Sequence, residues 1–186
     1  MIKVGDRLPE GKLSEATEFN EAAGCPLNPH DISVTEATKG KKIAIFALPG
    51  AYTPTCSAKH VPSYVANYDK LKAKGVDEIW CVATNDAFVM GAWGRTQKAG
   101  DKVRMLADGS GFWTKALGLE LDLTARNMGV RSNRYSMLVQ DGVVKQLNVE
   151  APGKFEVSDA ETMLKQMYGP ESVSKQRAQR SCALSY

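Results

Sequence analysis

Residues 43–61 read IAIFALPGAYTPTCSAKHV: an apolar run, a turn, and one cysteine delivered to what the pattern predicts is a helix start. The run 43–48 is too short for a membrane span and too continuous for a half-exposed strand, so it predicts a strand buried on both faces. Pro49 and Gly50 end it. Tyr52, Thr53, Pro54 and Thr55 supply hydroxyl caps and a proline suited to a first helical turn, which predicts a helix beginning just before Cys56. There the sulfur meets unpaired backbone N–H groups at the positive end of a helix dipole, an environment that favours a thiolate over a thiol. A buried structural cysteine is the alternative reading of Cys56, because free cysteine is among the most buried residue types.

Upstream, residues 1–42 mix short β-like pieces (12–19 and 31–34) with turn-rich connections and read as an irregular lead-in. One helical turn is expected at 34–39, capped by Thr35. Downstream, Val61, Tyr64, Val65, Tyr68 and Leu71 recur at helical spacing until Gly75 stops them. Pro62 lies inside that pattern and predicts a kink separating a short cysteine-bearing turn from the main helix. Residues 78–83 form a second apolar strand, and Thr84, Asn85 and Asp86 cap a helix running through Trp93. Residues 103–106 predict a third strand and 110–117 a short helix framed by glycines. Asp141-Gly142 between the runs 135–139 and 143–147 is a hairpin signal. Ser158 and Glu161 are spaced as a capping box for a last helix carrying Met163, Leu164 and Met167 on one face. Together these elements predict one α/β domain over residues 1–168, with a mixed central sheet flanked by helices, and a flexible tail over 169–186.

The chain has 186 residues, 43% apolar and 24% charged, an ordinary composition for a domain that folds without staples. Its net charge is +3, and Lys175, Arg177 and Arg180 against Glu171 place +2 of that in the tail, so the remainder is nearly neutral and nucleic acid is not an expected partner. No stretch approaches a membrane span, and the start MIKVGDRLPEGKL has no apolar leader segment, so no membrane association is expected. Four cysteines, Cys25, Cys56, Cys81 and Cys182, form no C-x-x-C pair. That usage suits a reducing compartment, and a cytoplasmic location is expected.

A strand, a turn and a cysteine at a helix start is the layout of the thioredoxin-like fold, with Thr53 where the first cysteine of a C-x-x-C would stand. Such a site cannot exchange a disulfide within its own loop; it is suited to being oxidised by something else. Pro49, Thr53 and Cys56 match the P-x-x-x-T-x-x-C signature of peroxiredoxins, and PGAYTPTCSAKHVP resembles the type II, or peroxiredoxin-5-like, subfamily. The run 85–90, NDAFVM, and Arg134-Tyr135-Ser136 leading to Val139-Gln140-Asp141-Gly142 extend the resemblance across residues 1–168.

The resemblance implies a thiol-dependent peroxidase that reduces hydrogen peroxide and alkyl hydroperoxides through a Cys56 sulfenic acid, works as a homodimer and needs no cofactor or metal. It assigns Arg134 as the guanidinium at the sulfur and Pro49 as the residue shielding it. Physically, attack of a thiolate on an O–O bond spreads negative charge over one sulfur and two oxygens. The N–H groups of Thr55 and Cys56, the Thr53 hydroxyl and Arg134 are the expected donors to that charge. Without the resemblance, Arg134 reads as a surface arginine and Pro49 as a strand terminator.

Resolution of the sulfenic acid is the open branch. Residues 151–159, where one branch of the subfamily carries a resolving cysteine, contain none. Cys81 matches a second cysteine of other members, but Trp80-Cys81-Val82 within a strand predicts burial and a poor nucleophile. The expected cycle is therefore reduction by glutathione, glutaredoxin or thioredoxin, with Cys81 as the alternative resolving residue. His60, four residues after Cys56, could pair with it as in cysteine hydrolases, and Cys25, His30, Cys56 and His60 could be imagined as metal ligands; no partner spacing supports either. A thiol-disulfide relay or peroxide sensor, and a thioredoxin-fold interaction module, are the competing classes. The missing C-x-x-C argues against the first, and the coincidence of Pro49, Thr53, Cys56 and Arg134 against the second.

Overall fold

Strand β5 (Lys42–Ala47) alternates its side chains between two separate apolar cores: Ile43, Ile45 and Ala47 face one, and Ala44 and Phe46 the other. That is why the run is continuously apolar: the strand is central and covered on both faces. The computed structural model describes residues 1–168, so the expected tail lies outside the described residues.

A seven-stranded sheet has the order β11 (Val143–Val149), β10 (Tyr135–Gln140), β5, β6 (Glu78–Ala83), β7 (Arg104–Ala107), β1 (Lys12–Glu15), β4 (His30–Ser33). Strands β5, β6 and β7 are parallel, while β10 runs antiparallel to both β5 and β11. The β10–β11 turn uses Asp141 and Gly142, both at positive φ (48° and 74°), the conformation that makes Asp-Gly a hairpin signal. Helices α2 (Val61–Ala66), α3 (Tyr68–Ala73), α4 (Ala87–Thr96) and α6 (Ala160–Met167) cover one face through Val61, Tyr64, Leu71, Met90, Trp93 and Met163. On the other face α1 (Val34–Thr38) and α5 (Phe112–Leu117) bury Val34, Trp113 and Leu117.

The N-terminal region is not an irregular lead-in. Strand β1 (Lys12–Glu15) pairs with β7 and with β4 (His30–Ser33), extending the sheet by two strands, and β2 (Glu18–Asn20) pairs with β3 (Cys25–Leu27). These strands are only three or four residues long; the β-like piece expected at 12–19 holds β1 and the start of β2, and that at 31–34 most of β4, whereas β3 lies where turns were expected. A small hairpin of β8 (Glu120–Asp122) and β9 (Val130–Ser132) was likewise not predicted.

Several caps also differ. Ser33, not Thr35, caps α1; Asp86 alone of its trio caps α4; and Asp159, not Ser158, caps α6 by accepting the Thr162 N–H. Ser158 is drawn inward instead. Among the described residues no helix is long and apolar enough to cross a membrane.

Candidate active site

The site lies beyond the C-terminal end of β5, the edge where parallel strands of an α/β sheet deliver their loops. The chain leaves β5 through Pro49 and Gly50 into a turn in which Tyr52 takes positive φ, 58°. Asn85, after β6, accepts the Ala51 N–H at 2.8 Å, and the Arg131 Nη1 donates to the Pro49 carbonyl at 3.2 Å. A Cβ on Gly50 would lie 2.8 Å from that Arg131 nitrogen, so a larger residue there would push the guanidinium off the Pro49 carbonyl.

The Thr53 hydroxyl does not cap a helical N–H. It donates to the Gly50 carbonyl at 2.7 Å. A carbonyl can only accept, so the single hydroxyl hydrogen is committed and Thr53 presents lone pairs, not the donor expected from sequence.

Helical backbone begins at Pro54 and Thr55 and then widens into a π-helical turn, Cys56–His60, closed by the Val61 N–H on the Cys56 carbonyl. Pro62 follows at the start of α2. A regular helix would bring its ring against the Ala58 carbonyl and leave that carbonyl without a partner, whereas the wider turn precedes the proline and relieves the conflict. The predicted separation of a cysteine-bearing turn is thus present, as a π-turn, and the main helix divides again at Asn67 into α2 and α3.

Arg134, immediately before β10, reaches this turn. Its Nη2 donates to the Cys56 sulfur at 3.2 Å and its Nη1 to His60 Nδ1 at 3.0 Å. A guanidinium has no acceptor, so Nδ1 of His60 is unprotonated and the ring hydrogen sits on Nε2, which donates to the Ser158 carbonyl at 3.1 Å. Tyr64 donates its hydroxyl to the same carbonyl at 2.9 Å. Phe155 closes the cluster, its ring centroid 5.0 Å from that of His60 and 5.8 Å from the guanidinium carbon. His60 therefore holds Arg134; it neither caps a helix nor serves Cys56 as a base.

Burial first, and the Arg134 charge second, push the His60 pKa from 6.5 down to about 3. Between those values the unfolded chain binds a proton that the folded chain refuses, so stability falls on acidification through that window, by up to about 1.4 kcal/mol per pH unit. Urea midpoints at pH 7 and pH 5 should drop less in His60→Asn than in the parent. An equal drop in both would show that His60 is not the titrating group.

Cys56 is 1% exposed. A groove of about 560 Å3 runs past Pro49, Thr53, Thr55 and Arg134, with Leu121 and Met128 on its far wall. Burial of this degree leaves no room at the sulfur for a bulky protein disulfide.

Cys81 sits in β6 opposite Phe46 and Met105, fully buried, and burial raises its thiol pKa well above the ordinary value, with the nearby Cys56 adding to the shift. Cys25, Cys56 and Cys81 are all unpaired. Cys25 lies in β3, and His30 faces Glu15 at 3.6 Å, so neither belongs to this cluster. Asn85, Arg131 and the holding role of His60 were missed in the sequence. Asn85 and His60 lay inside quoted motifs, whereas Arg131 belongs to a strand that gave no signal.

Fold and site together describe a thioredoxin-like domain with one buried thiol held by an arginine. The Redoxin family model matches residues 3–164. Peroxiredoxin-2B of Arabidopsis thaliana is 46% identical over 164 residues, covering 88% of this chain and 97% of that protein. The chloroplastic peroxiredoxin-2E of the same plant is 48% identical over 166 residues, covering 88% of this chain and 68% of its own. The crystal structure of reduced Prx3 from Vibrio vulnificus in complex with H2O2 is 50% identical, with a TM-score of 0.81, 90% of this chain covered and 99% of that one. The chain belongs to the peroxiredoxins of the redoxin family, in the type II, peroxiredoxin-5-like group. It is a thiol-dependent peroxidase of antioxidant defence.

Proposed function

We propose that Cys56 is the peroxidatic thiol and that Arg134, Thr53, Pro49 and the N–H groups of Thr55 and Cys56 form its substrate site. The carrying observation is the 3.2 Å contact between Arg134 Nη2 and the Cys56 sulfur. The Cys56 thiolate attacks the terminal oxygen of ROOH; the S–O bond forms, the O–O bond breaks, and RO⁻ leaves to take a proton from water, giving Cys56–SOH and ROH. Arg134 and the two N–H groups offset the charge spreading from sulfur to oxygen. Thr53, with its hydrogen committed to Gly50, accepts the O–H of the bound hydroperoxide and orients it. Pro49 walls the groove and limits water.

Glutathione or glutaredoxin is the reductant we favour over thioredoxin. Cys56–SOH condenses with one glutathione to a mixed disulfide and water, and a second thiol releases Cys56 and glutathione disulfide. The support is the burial of Cys81, which leaves no competent resolving thiol beside Cys56 among the described residues. Peroxide consumption with glutathione plus glutaredoxin should exceed that with thioredoxin, and Cys81→Ser should retain glutathione-linked turnover. Mass spectrometry showing a dominant Cys56–Cys81 linkage formed faster than turnover would make Cys81 the resolving residue.

A homodimer and a cytoplasmic location complete the reading. Exposed Tyr52, Phe88 and Phe112 follow the C-terminal ends of the parallel strands β5, β6 and β7, an apolar rim suited to a second copy. Sedimentation showing only monomer at micromolar concentration would remove the dimer. The unpaired cysteines support a reducing compartment, which cell fractionation tests.

A further inference from the structure

We infer that Glu150 is a positioning residue for Arg134, acting through the loop 151–158. Glu150 follows β11 and is 6% exposed. Its backbone N–H donates to the Arg134 carbonyl at 2.9 Å. Its Oε1 accepts the N–H groups of Glu156, Val157 and Ser158 at 2.8, 2.7 and 2.9 Å, and the Ser158 hydroxyl at 2.9 Å.

Four donors on one carboxylate oxygen curl the loop back onto the end of the strand that precedes it. Burying a carboxylate is costly unless its partners are fixed, so the loop is held in one conformation rather than many. The curl aims the Ser158 carbonyl at His60 Nε2 and Tyr64. With its Nε2–H engaged there, His60 keeps Nδ1 free to accept Arg134 Nη1, which leaves Nη2 on the Cys56 sulfur. The loop also sets Phe155 against both His60 and Arg134. One residue thus fixes the arginine twice, at its backbone directly and at its guanidinium through Ser158 and His60.

A carboxylate serving only to close a loop would stabilise the fold without this chain of partners, and the two roles separate experimentally. The inference rests on the transition-state role proposed for Arg134. The measurement is single-turnover oxidation of Cys56 in the full chain by H2O2, followed by stopped-flow tryptophan fluorescence; Trp93 Nε1 bonds the Ser57 hydroxyl beside Cys56 at 3.1 Å and supplies the signal. Glu150→Ala should slow oxidation about tenfold, and Glu150→Gln, which keeps the accepting oxygen, should stay within about threefold of the parent. In an Arg134→Ala background, Glu150→Ala should add nothing, because no guanidinium remains to be placed.

Additive losses, or parental speed in Glu150→Ala, would overturn the inference. Should Glu150→Ala fail to fold, Glu150→Asp, shorter by one carbon, carries the same expectations. The two readings fail distinguishably: parental speed in Arg134→Ala removes both, whereas a slow Arg134→Ala beside a fast Glu150→Ala removes only the role of Glu150.

Discussion

Cys56→Ser should abolish peroxide turnover, down to the rate of the uncatalysed thiol and peroxide mixture. A serine hydroxyl has no thiolate to attack the O–O bond and no sulfenic state to be reduced. The substitution changes one buried atom, so the domain should fold as the parent does, and circular dichroism checks this. Cys25→Ser and Cys182→Ser should leave turnover nearly intact. Cys25 lies in β3, away from the Arg134–His60 cluster. Retained turnover in a folded Cys56→Ser protein would show that another thiol carries the reaction.

Arg134→Ala should slow oxidation of Cys56 by about a hundredfold, the usual effect of deleting a donor aimed at developing charge. Arg134→Lys should not rescue it. The guanidinium divides its work between two nitrogens, one on the Cys56 sulfur at 3.2 Å and one on His60 Nδ1 at 3.0 Å. A single ammonium cannot hold both in that geometry. Stopped-flow oxidation at saturating reductant separates this step from recycling. An Arg134→Lys protein as fast as the parent would mean that charge alone suffices and the fork has no role.

The central strand and its cysteine were legible because both are local statements. An apolar run of strand length ended by Pro49-Gly50 fixes β5, and Asp141-Gly142 fixes the β10–β11 hairpin through its own backbone preferences. Arg134 was legible only by family resemblance. Nothing adjacent to it in sequence distinguishes it from a solvated arginine, since its partners are Cys56 and His60, more than seventy residues upstream. Glu150 escaped notice for the same reason of distance, although a carboxylate closing an apolar strand before Pro152-Gly153 is a local oddity that invites a partner search. The role of Thr53 was misread for want of one fact, the direction of its only hydrogen. The strands β1 and β4 were legible only as short β-like pieces at 12–19 and 31–34; their place in the sheet was not, because pairing with β7 and with each other sets it.

The π-helical turn at Cys56–His60 makes the reactive sulfur a matter of counting. Such a turn is an α-helix carrying one surplus residue, and each helical residue advances the azimuth by about 100°. Deleting any single residue between Cys56 and Pro62 would take up the surplus, rotating Cys56 by that angle away from Arg134 and removing the relief the wider turn gives Pro62. Point substitutions in the segment leave the phase intact. A one-residue deletion is therefore the lesion this segment tolerates least, and chain length here, as much as residue identity, sets where the sulfur points.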